Sequence, residues 1–255
     1  MSAGHLDRAA AGFAAGELYE RARPHYPADA VDHLCASLGV GPGRRVLDLA
    51  AGTGKLTREL VARGAAVTAV EPTEGMREQL TAALPGIVAL AGTAERIPLG
   101  DAAVDAVTVA QAFHWFDGPD AVREIHRVLI PGGALGLMWN VMDQTVPWVE
   151  RLQEAIHRRR GENPWYTTHA WRRAFDGAAE LSPLAHRAFR NAQTVDRDGL
   201  LERVASVSWI ATLPAGERDA VFADVRAILA DHGVPGPDGR FEIPYVTDVF
   251  WCRRR

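Results

Sequence analysis

The stretch Val46-Leu-Asp-Leu-Ala-Ala-Gly-Thr-Gly-Lys-Leu-Thr57, followed by Val67-Thr-Ala-Val-Glu-Pro72, decides how this chain folds. A short apolar run meets a turn of small residues, and a helical pattern then starts near Lys55. A second apolar run ends on the acid Glu71. Glycine in such a turn lets a ligand approach bare backbone. An acid closing the next strand can take both hydroxyls of a ribose. Together they point to a cofactor built on a nucleoside.

Three nucleotide-binding patterns compete for this turn. The dinucleotide fingerprint G-x-G-x-x-G lacks its third glycine, because Gly52-Thr53-Gly54 is followed by Lys55-Leu56-Thr57. The phosphate loop G-x-x-x-x-G-K-[ST] ends acceptably at Gly54-Lys55, but Leu56 replaces its hydroxyl and Leu49 its first glycine. What stands is D-x-A-x-G-x-G, from Asp48 to Gly54. It resembles motif I of the class I S-adenosylmethionine (SAM) methyltransferases. The family commonly has glycine where this chain has Ala50, a mild departure that removes some room beside the cofactor.

The rest of the chain repeats the alternation. Strand patterns fall at 45–49, 66–71, 87–91, 103–110 and 134–139, separated by helical patterns, among them one at 119–128. Such alternation makes a parallel sheet with helices on both faces. Pro131-Gly-Gly133 reads as the turn into the fifth strand. Residues 140–183 break the alternation, carrying Trp148, Trp165, Trp171 and Tyr166 with no strand pattern, and read as a cap over the ligand crevice. A strand at 185–194, helices at 197–211 and 217–231 and a last strand at 241–251 follow. The resemblance implies a Rossmann-like sheet of seven mostly parallel strands, with the last two strands forming an antiparallel end. The expected division is an N-terminal arm and helix at 1–40, the SAM-binding core at 41–140, the cap at 141–183 and the remainder of the sheet domain at 184–255.

Composition narrows the function. At 255 residues, 47% hydrophobic and 24% charged, the chain can bury a full core. A net charge of −4 gives no global attraction to nucleic acid or anionic lipid. The two cysteines and the scattered histidines show no metal-ligand spacing, so no metal is expected. Neither a secretory signal nor a bilayer-length apolar run is visible, and a soluble cytoplasmic protein is the expectation.

In an open α/β sheet the ligand lies beyond the carboxyl ends of the strands, where strand order reverses. Ala50, Gly52 and Gly54 after the first strand are therefore cofactor residues, the resemblance to motif I adds Asp48 within that strand, and Glu71 is the ribose acid. Pro72 and Met76 are placed to pack on the adenine. Thr93, Ala94 and Glu95 follow the third strand, where the family contacts the adenine edge, with Thr93 in the place often held by an acid. Gln111-Ala-Phe-His-Trp-Phe116 follows the fourth strand and resembles small-molecule methyltransferases of the type 11 group, which includes the trans-aconitate methyltransferases. Gln111 is expected beside the cofactor, Phe113, Trp115, Trp139 and Trp165 at the acceptor, and His114 as the catalytic base if the acceptor needs one.

The segment Tyr19-Glu-Arg-Ala-Arg-Pro-His-Tyr-Pro27 is similar to the leading arm of that group. Proline after Arg23 and after Tyr26 predicts an extended arm. It would fold over the cofactor, with Tyr19 and Arg23 toward the methionine carboxylate and Tyr26 toward the acceptor.

The expected function is SAM-dependent transfer of a methyl group to a small organic molecule, at oxygen, nitrogen or carbon. A nucleic-acid methyltransferase of the exocyclic-amine kind would present [DNS]-P-P-[YFW] where this chain has Ala110-Gln-Ala-Phe113. A SAM-binding protein that does not methylate, such as a cyclase, differs in product mass. A nicotinamide oxidoreductase would need glycine at Thr57.

Overall fold

Arg45–Leu49 forms the first strand, β1, because its apolar residues can be buried on both faces of a sheet. In the computed structural model, which describes residues 16–234 and 238–255, it lies near the middle of a seven-stranded sheet. Its neighbours are β2 (Ala66–Val70) and β4 (Val104–Ala110), both parallel to it. Outside them run β3 (Val88–Leu90) and β5 (Leu129–Met142), also parallel. β7 (Phe241–Arg253) then pairs antiparallel with β5 and with the edge strand β6 (Ala185–Val195). The order is β3-β2-β1-β4-β5-β7-β6, so the chain steps outward from β1 through β2 to β3 and then crosses back to β4 on the other side of β1. The expected antiparallel end is present.

Helices cover both faces. α1 (Gly16–Ala22) leads the described chain, and on one face lie α2 (Ala28–Leu38), α3 (Lys55–Ala62) and α4 (Glu74–Ala83). Val31, Leu34, Leu38 and Leu60 pack there with Val46, Ala106 and Ala134 of the sheet. Gly136 permits the close approach of α2: a Cβ at that position would lie 2.5 Å from Leu34 Cδ1. On the other face α5 (Gly118–Val128) buries Ile125 and Val128 against Leu47, Leu49, Val107 and Val109. Fully burying such aliphatic side chains contributes about 1.5–3 kcal/mol each.

The insertion is more regular than its sequence suggests. Pro147–His157 forms a helix, α6, with proline in its first turn, where the missing N–H costs nothing. Its Val149, Leu152 and Ile156 pack with Leu200 and Val204 of α7 (Arg197–Ala205), Ile210 of the short α8 (Ser208–Ala211), and Val225 and Leu229 of α9 (Ala215–Asp231). Short 3₁₀ helices at Tyr166–Thr168 and Ala170–Phe175 complete the cap.

Two other expectations need correction. The arm is helical through Ala22 and becomes irregular only from Arg23, because the restriction imposed by Pro24 acts on the residue before it. Pro131-Gly-Gly133 lies inside β5 as an irregularity: the pairing moves from Val104 with Leu129 to Ala106 with Ala134. Proline inside a sheet is tolerated at such bulges.

Candidate active site

The strand order reverses between β1 and β4, and the backbone bends sharply just past both. Ala50 (φ 55°) and Gln111 (φ 60°) are the residues that follow these strands, and both are left-handed without being glycine. Gly52 and Gly54 are left-handed as well, at φ 57° and 87°. Gly54 opens α3, and a Cβ there would press to 3.1 Å from Leu80 Cγ. Strain held on both sides of a crevice marks the place where chain geometry serves a ligand.

Glu71 follows β2 and is only 5% exposed. One carboxylate oxygen accepts the Gly52 N–H at 3.0 Å, and the other accepts the Thr73 N–H at 2.9 Å. Each oxygen keeps a further lone pair, so the acid can still receive two hydroxyls. Burial pushes its pKa up, against the two backbone hydrogen bonds. Met76 is buried with its sulfur 3.9 Å from where a Cβ on Gly52 would sit, and Pro72 is exposed beside it.

Asp48 does not face the crevice. It is 1% exposed and accepts hydrogen bonds from Thr57 (2.6 Å) and Thr108 (3.0 Å), tying β1 to α3 and β4. Burial lifts its pKa to about 6. Its part is to hold the turn from beneath. After β3, Thr93 is half-buried and Ala94 joins the core. Glu95 accepts the Asp117 N–H at 2.9 Å, which commits one of its oxygens to the start of α5.

The turn also grips the N-terminal helix. Thr53 Oγ1 donates to Glu20 at 2.5 Å, and Lys55 Nζ donates to the Glu20 and Arg23 carbonyls at 2.7 and 3.3 Å. Arg58 pairs with the same carboxylate. Burial opposes the charge on Glu20, but the Thr53 hydrogen bond and the two cations outweigh it and hold the carboxyl below its usual range. Downstream, Arg23 donates to the Ser206 hydroxyl (2.9 Å) and carbonyl (2.8 Å), and Arg21 pairs with Glu202 on α7. Arg23 thus reaches the crevice, while the side chain of Tyr19 lies outside the described residues. Tyr26 is 9% exposed, packs in the core beneath α2 and borders a small recess with Arg23 and Lys55.

Beyond β4 and β5 opens an aromatic cavity lined by Gln111, His114, Trp115, Trp139, Trp165 and Trp209, among others. Phe113 is not part of it. That ring stacks on Phe175 at 5.2 Å in the core, a correction to its expected place at the acceptor. Phe113, in the 3₁₀ turn Phe113–Trp115, is held in the core while the next residue, His114, lines the cavity.

His114 accepts the Trp139 indole N–H on Nδ1 at 3.2 Å. The neutral ring therefore carries its proton on Nε2. Burial, with help from the Arg23 charge, pushes its pKa down to about 3. A ring held in this way is a weak base that presents a hydrogen-bond donor at Nε2. Gln111 Nε2 donates to the Asn140 carbonyl at 3.4 Å and completes the border between crevice and cavity.

Residues 47–137 match the methyltransferase domain family. An uncharacterized methyltransferase of Mycobacterium tuberculosis is 44% identical over 235 residues, which is 90% of this chain and 89% of the relative. The chain belongs to the class I methyltransferases, type 11. An uncharacterized methyltransferase-like protein of Schizosaccharomyces pombe is 36% identical over 211 residues, 82% of each chain. Among solved structures, a putative type II methyltransferase from Anaeromyxobacter dehalogenans shares the fold at a TM-score of 0.63 and 22% identity, covering 91% of this chain and 97% of that one.

Several residues of this methyltransferase's cavity were missed in the sequence. Gln153 comes from α6, Tyr166 from the cap, Arg203 from α7 and Trp209 from α8. One signal was available. Arg203 follows Leu200 by three residues and adjoins Val204, so an arginine sits in phase with an apolar helical face.

Proposed function

We propose that this methyltransferase uses S-adenosylmethionine and methylates a small organic molecule held in the aromatic cavity. The observation that carries the reading is the bond between Gly52 N–H and the buried carboxylate of Glu71. It joins a turn of small residues to a ribose acceptor at the strand-order reversal, the combination a nucleoside needs. When bound, S-adenosylmethionine supplies an electrophilic methyl group on a sulfonium.

The residues have distinct tasks in this reading. The Ala50–Gly54 backbone receives the methionine part, Glu71 the ribose, and Pro72, Met76 and the 93–95 loop the adenine. Arg23 stands toward the methionine carboxylate. Gln111, Trp115, Trp139 and Trp165 enclose the acceptor and exclude water, which in-line displacement requires more than acid–base help. His114 donates through Nε2 to an acceptor oxygen, orienting it.

The cavity favours a small acceptor over nucleic acid. It is roofed by α6, the Tyr166 turn and Trp209, and a net charge of −4 offers little to a phosphate backbone. No described helix is long and apolar enough to cross a membrane. The test is calorimetric titration with S-adenosylhomocysteine, then incubation with S-adenosylmethionine and metabolite extracts. Cofactor binding with a product heavier by one methylene is expected. Binding without any mass gain would point to the non-methylating alternative, and absent binding would overturn the reading.

A further inference from the structure

The aromatic cavity contains an unusual charge. Arg203 is 4% exposed, and among the described residues no carboxylate pairs with it. Its Nε donates to the Tyr245 hydroxyl at 3.0 Å, and Tyr245 in turn donates to Gln193 at 3.3 Å. Its Nη1 is buried with no partner. A buried guanidinium without a counter-ion is costly, and buried donors in native proteins are nearly always satisfied.

The neighbouring polar atoms are unmatched too. Trp165 Nε1 and Gln153 Oε1 are buried without partners, and both residues line the same cavity as Arg203. Half of the six such atoms among the described residues therefore belong to one cavity, so a bound molecule is their natural partner. Two of the three are donors. Arg23 adds a second cation to the lining, and none of the described lining residues is Asp or Glu. His114 contributes a protonated Nε2. The site is built to receive oxygen and negative charge.

We propose that the methyl acceptor carries a carboxylate that is received by the guanidinium of Arg203. A carboxylate is planar, so it fits between indole rings and lets its oxygens accept from Arg203 Nη1 and a neighbouring donor together. Its rings or double bonds lie against Trp139, Trp165 and Trp209, and the amide oxygen of Gln153 meets a hydroxyl or N–H on the same molecule. This deepens the reading of the site as a methyl-acceptor pocket and rests on it.

The test titrates benzoate, cinnamate and fumarate, each against its primary amide, with phenyl phosphate as a competing anion. Each is run with and without saturating S-adenosylhomocysteine, on the full chain and on Arg203→Gln and Arg203→Lys. At least one carboxylate should bind the wild type about tenfold more tightly than its amide. Arg203→Gln should reduce that preference below about threefold, Arg203→Lys should keep part of it, and both should bind S-adenosylhomocysteine within about threefold of wild type.

The proposal is overturned if no carboxylate outbinds its amide in the wild type, a comparison that needs no variant to fold. It is equally overturned if Arg203→Gln keeps the preference, or if phenyl phosphate binds more tightly than every carboxylate. Loss of S-adenosylhomocysteine binding in Arg203→Gln, with carboxylates unaffected, would assign the guanidinium to the cofactor's methionine instead. A wild type that never binds S-adenosylhomocysteine refutes the underlying reading, while the cofactor-free titrations still report on Arg203.

Discussion

The indole N–H of Trp139 donates to Nδ1 of His114, and this contact decides what the histidine can do. With Nδ1 occupied as an acceptor and the pKa near 3, the ring stays neutral and presents an N–H at Nε2. The pH profile of kcat/KM should therefore show no ionisation of His114 near 6.5, the value of an unperturbed imidazole. His114→Gln, which can still donate, should retain more activity than His114→Ala. A limb near pH 6.5 that disappears in His114→Gln would restore the base role.

The same histidine should mark the stability curve. Its folded pKa lies below the unfolded value of 6.5, so the unfolded chain binds a proton that the folded chain refuses. Stability is complete above about pH 6.5 and falls as pH drops toward 3. Denaturant unfolding of His114→Gln between pH 4 and 7 should show a shallower acid loss than the wild type.

Asp48 pulls the other way. Its folded pKa of about 6 lies above the ordinary carboxyl value of 3.8, so the folded chain holds a proton more tightly than the unfolded one. This group's contribution is greatest at low pH and is lost as pH rises from about 4 to 6. Asp48→Asn keeps one acceptor for Thr57 or Thr108 and should remove that slope. In the wild type the two residues mask each other, so single variants compared by urea unfolding should diverge in opposite directions across pH 4–6.

Much of this geometry was open to sequence reading, for a physical reason. Central parallel strands are buried on both faces, so β1, β2 and β4 appear as near-continuous apolar runs that little else in a chain resembles. The glycine turn and Glu71 stand at fixed places relative to those runs. What escaped depends on contacts between distant segments. Nothing local tells that Trp139 will meet His114, that Glu20 will meet Thr53, or that Arg203 will face a cavity. The helix α6 escaped differently, since Pro147 and the arginines at 158–160 hide an apolar period of Val149, Leu152 and Ile156.

Ala50 offers a test of the turn itself. It holds φ 55° with a Cβ, a conformation costing about 1–2 kcal/mol for an L-residue. Part of that return is offset by the greater chain entropy of glycine when unfolded. Ala50→Gly should therefore raise stability by up to about 1 kcal/mol and leave S-adenosylhomocysteine affinity equal or tighter. Destabilisation in thermal unfolding would mean that the methyl group of Ala50 packs usefully in the turn.

Glu71 separates structure from ligand. Glu71→Ala removes an acceptor from Gly52 and Thr73 as well as from the proposed ribose, so it should lower both stability and affinity. Glu71→Gln keeps one carbonyl oxygen but loses the charge. Its S-adenosylhomocysteine affinity should fall about ten- to a hundredfold, since hydrogen bonds to a charged group are worth about 1.5–3 kcal/mol. A change below twofold by calorimetry would leave Glu71 as a structural brace for the turn.

The last test concerns the grip between the turn and the N-terminal helix. Glu20 receives Thr53, Lys55 and Arg58, three residues that belong to the Ala50–Gly54 turn or the helix after it. The side chain of Lys55 is only 8% exposed, so removing the carboxylate leaves a nearly buried ammonium held by carbonyls alone. Glu20→Ala should therefore release residues 16–27, seen as faster amide hydrogen exchange there than in β1 or β4. Because Arg23 lies just beyond this clamp and lines the crevice, S-adenosylhomocysteine should bind more weakly as the segment loosens. Conversely, the cofactor should slow exchange across the same residues in the wild type. If exchange at 16–27 is the same with and without S-adenosylhomocysteine, the helix is a fixed wall of the fold, and Glu20 serves only to anchor it.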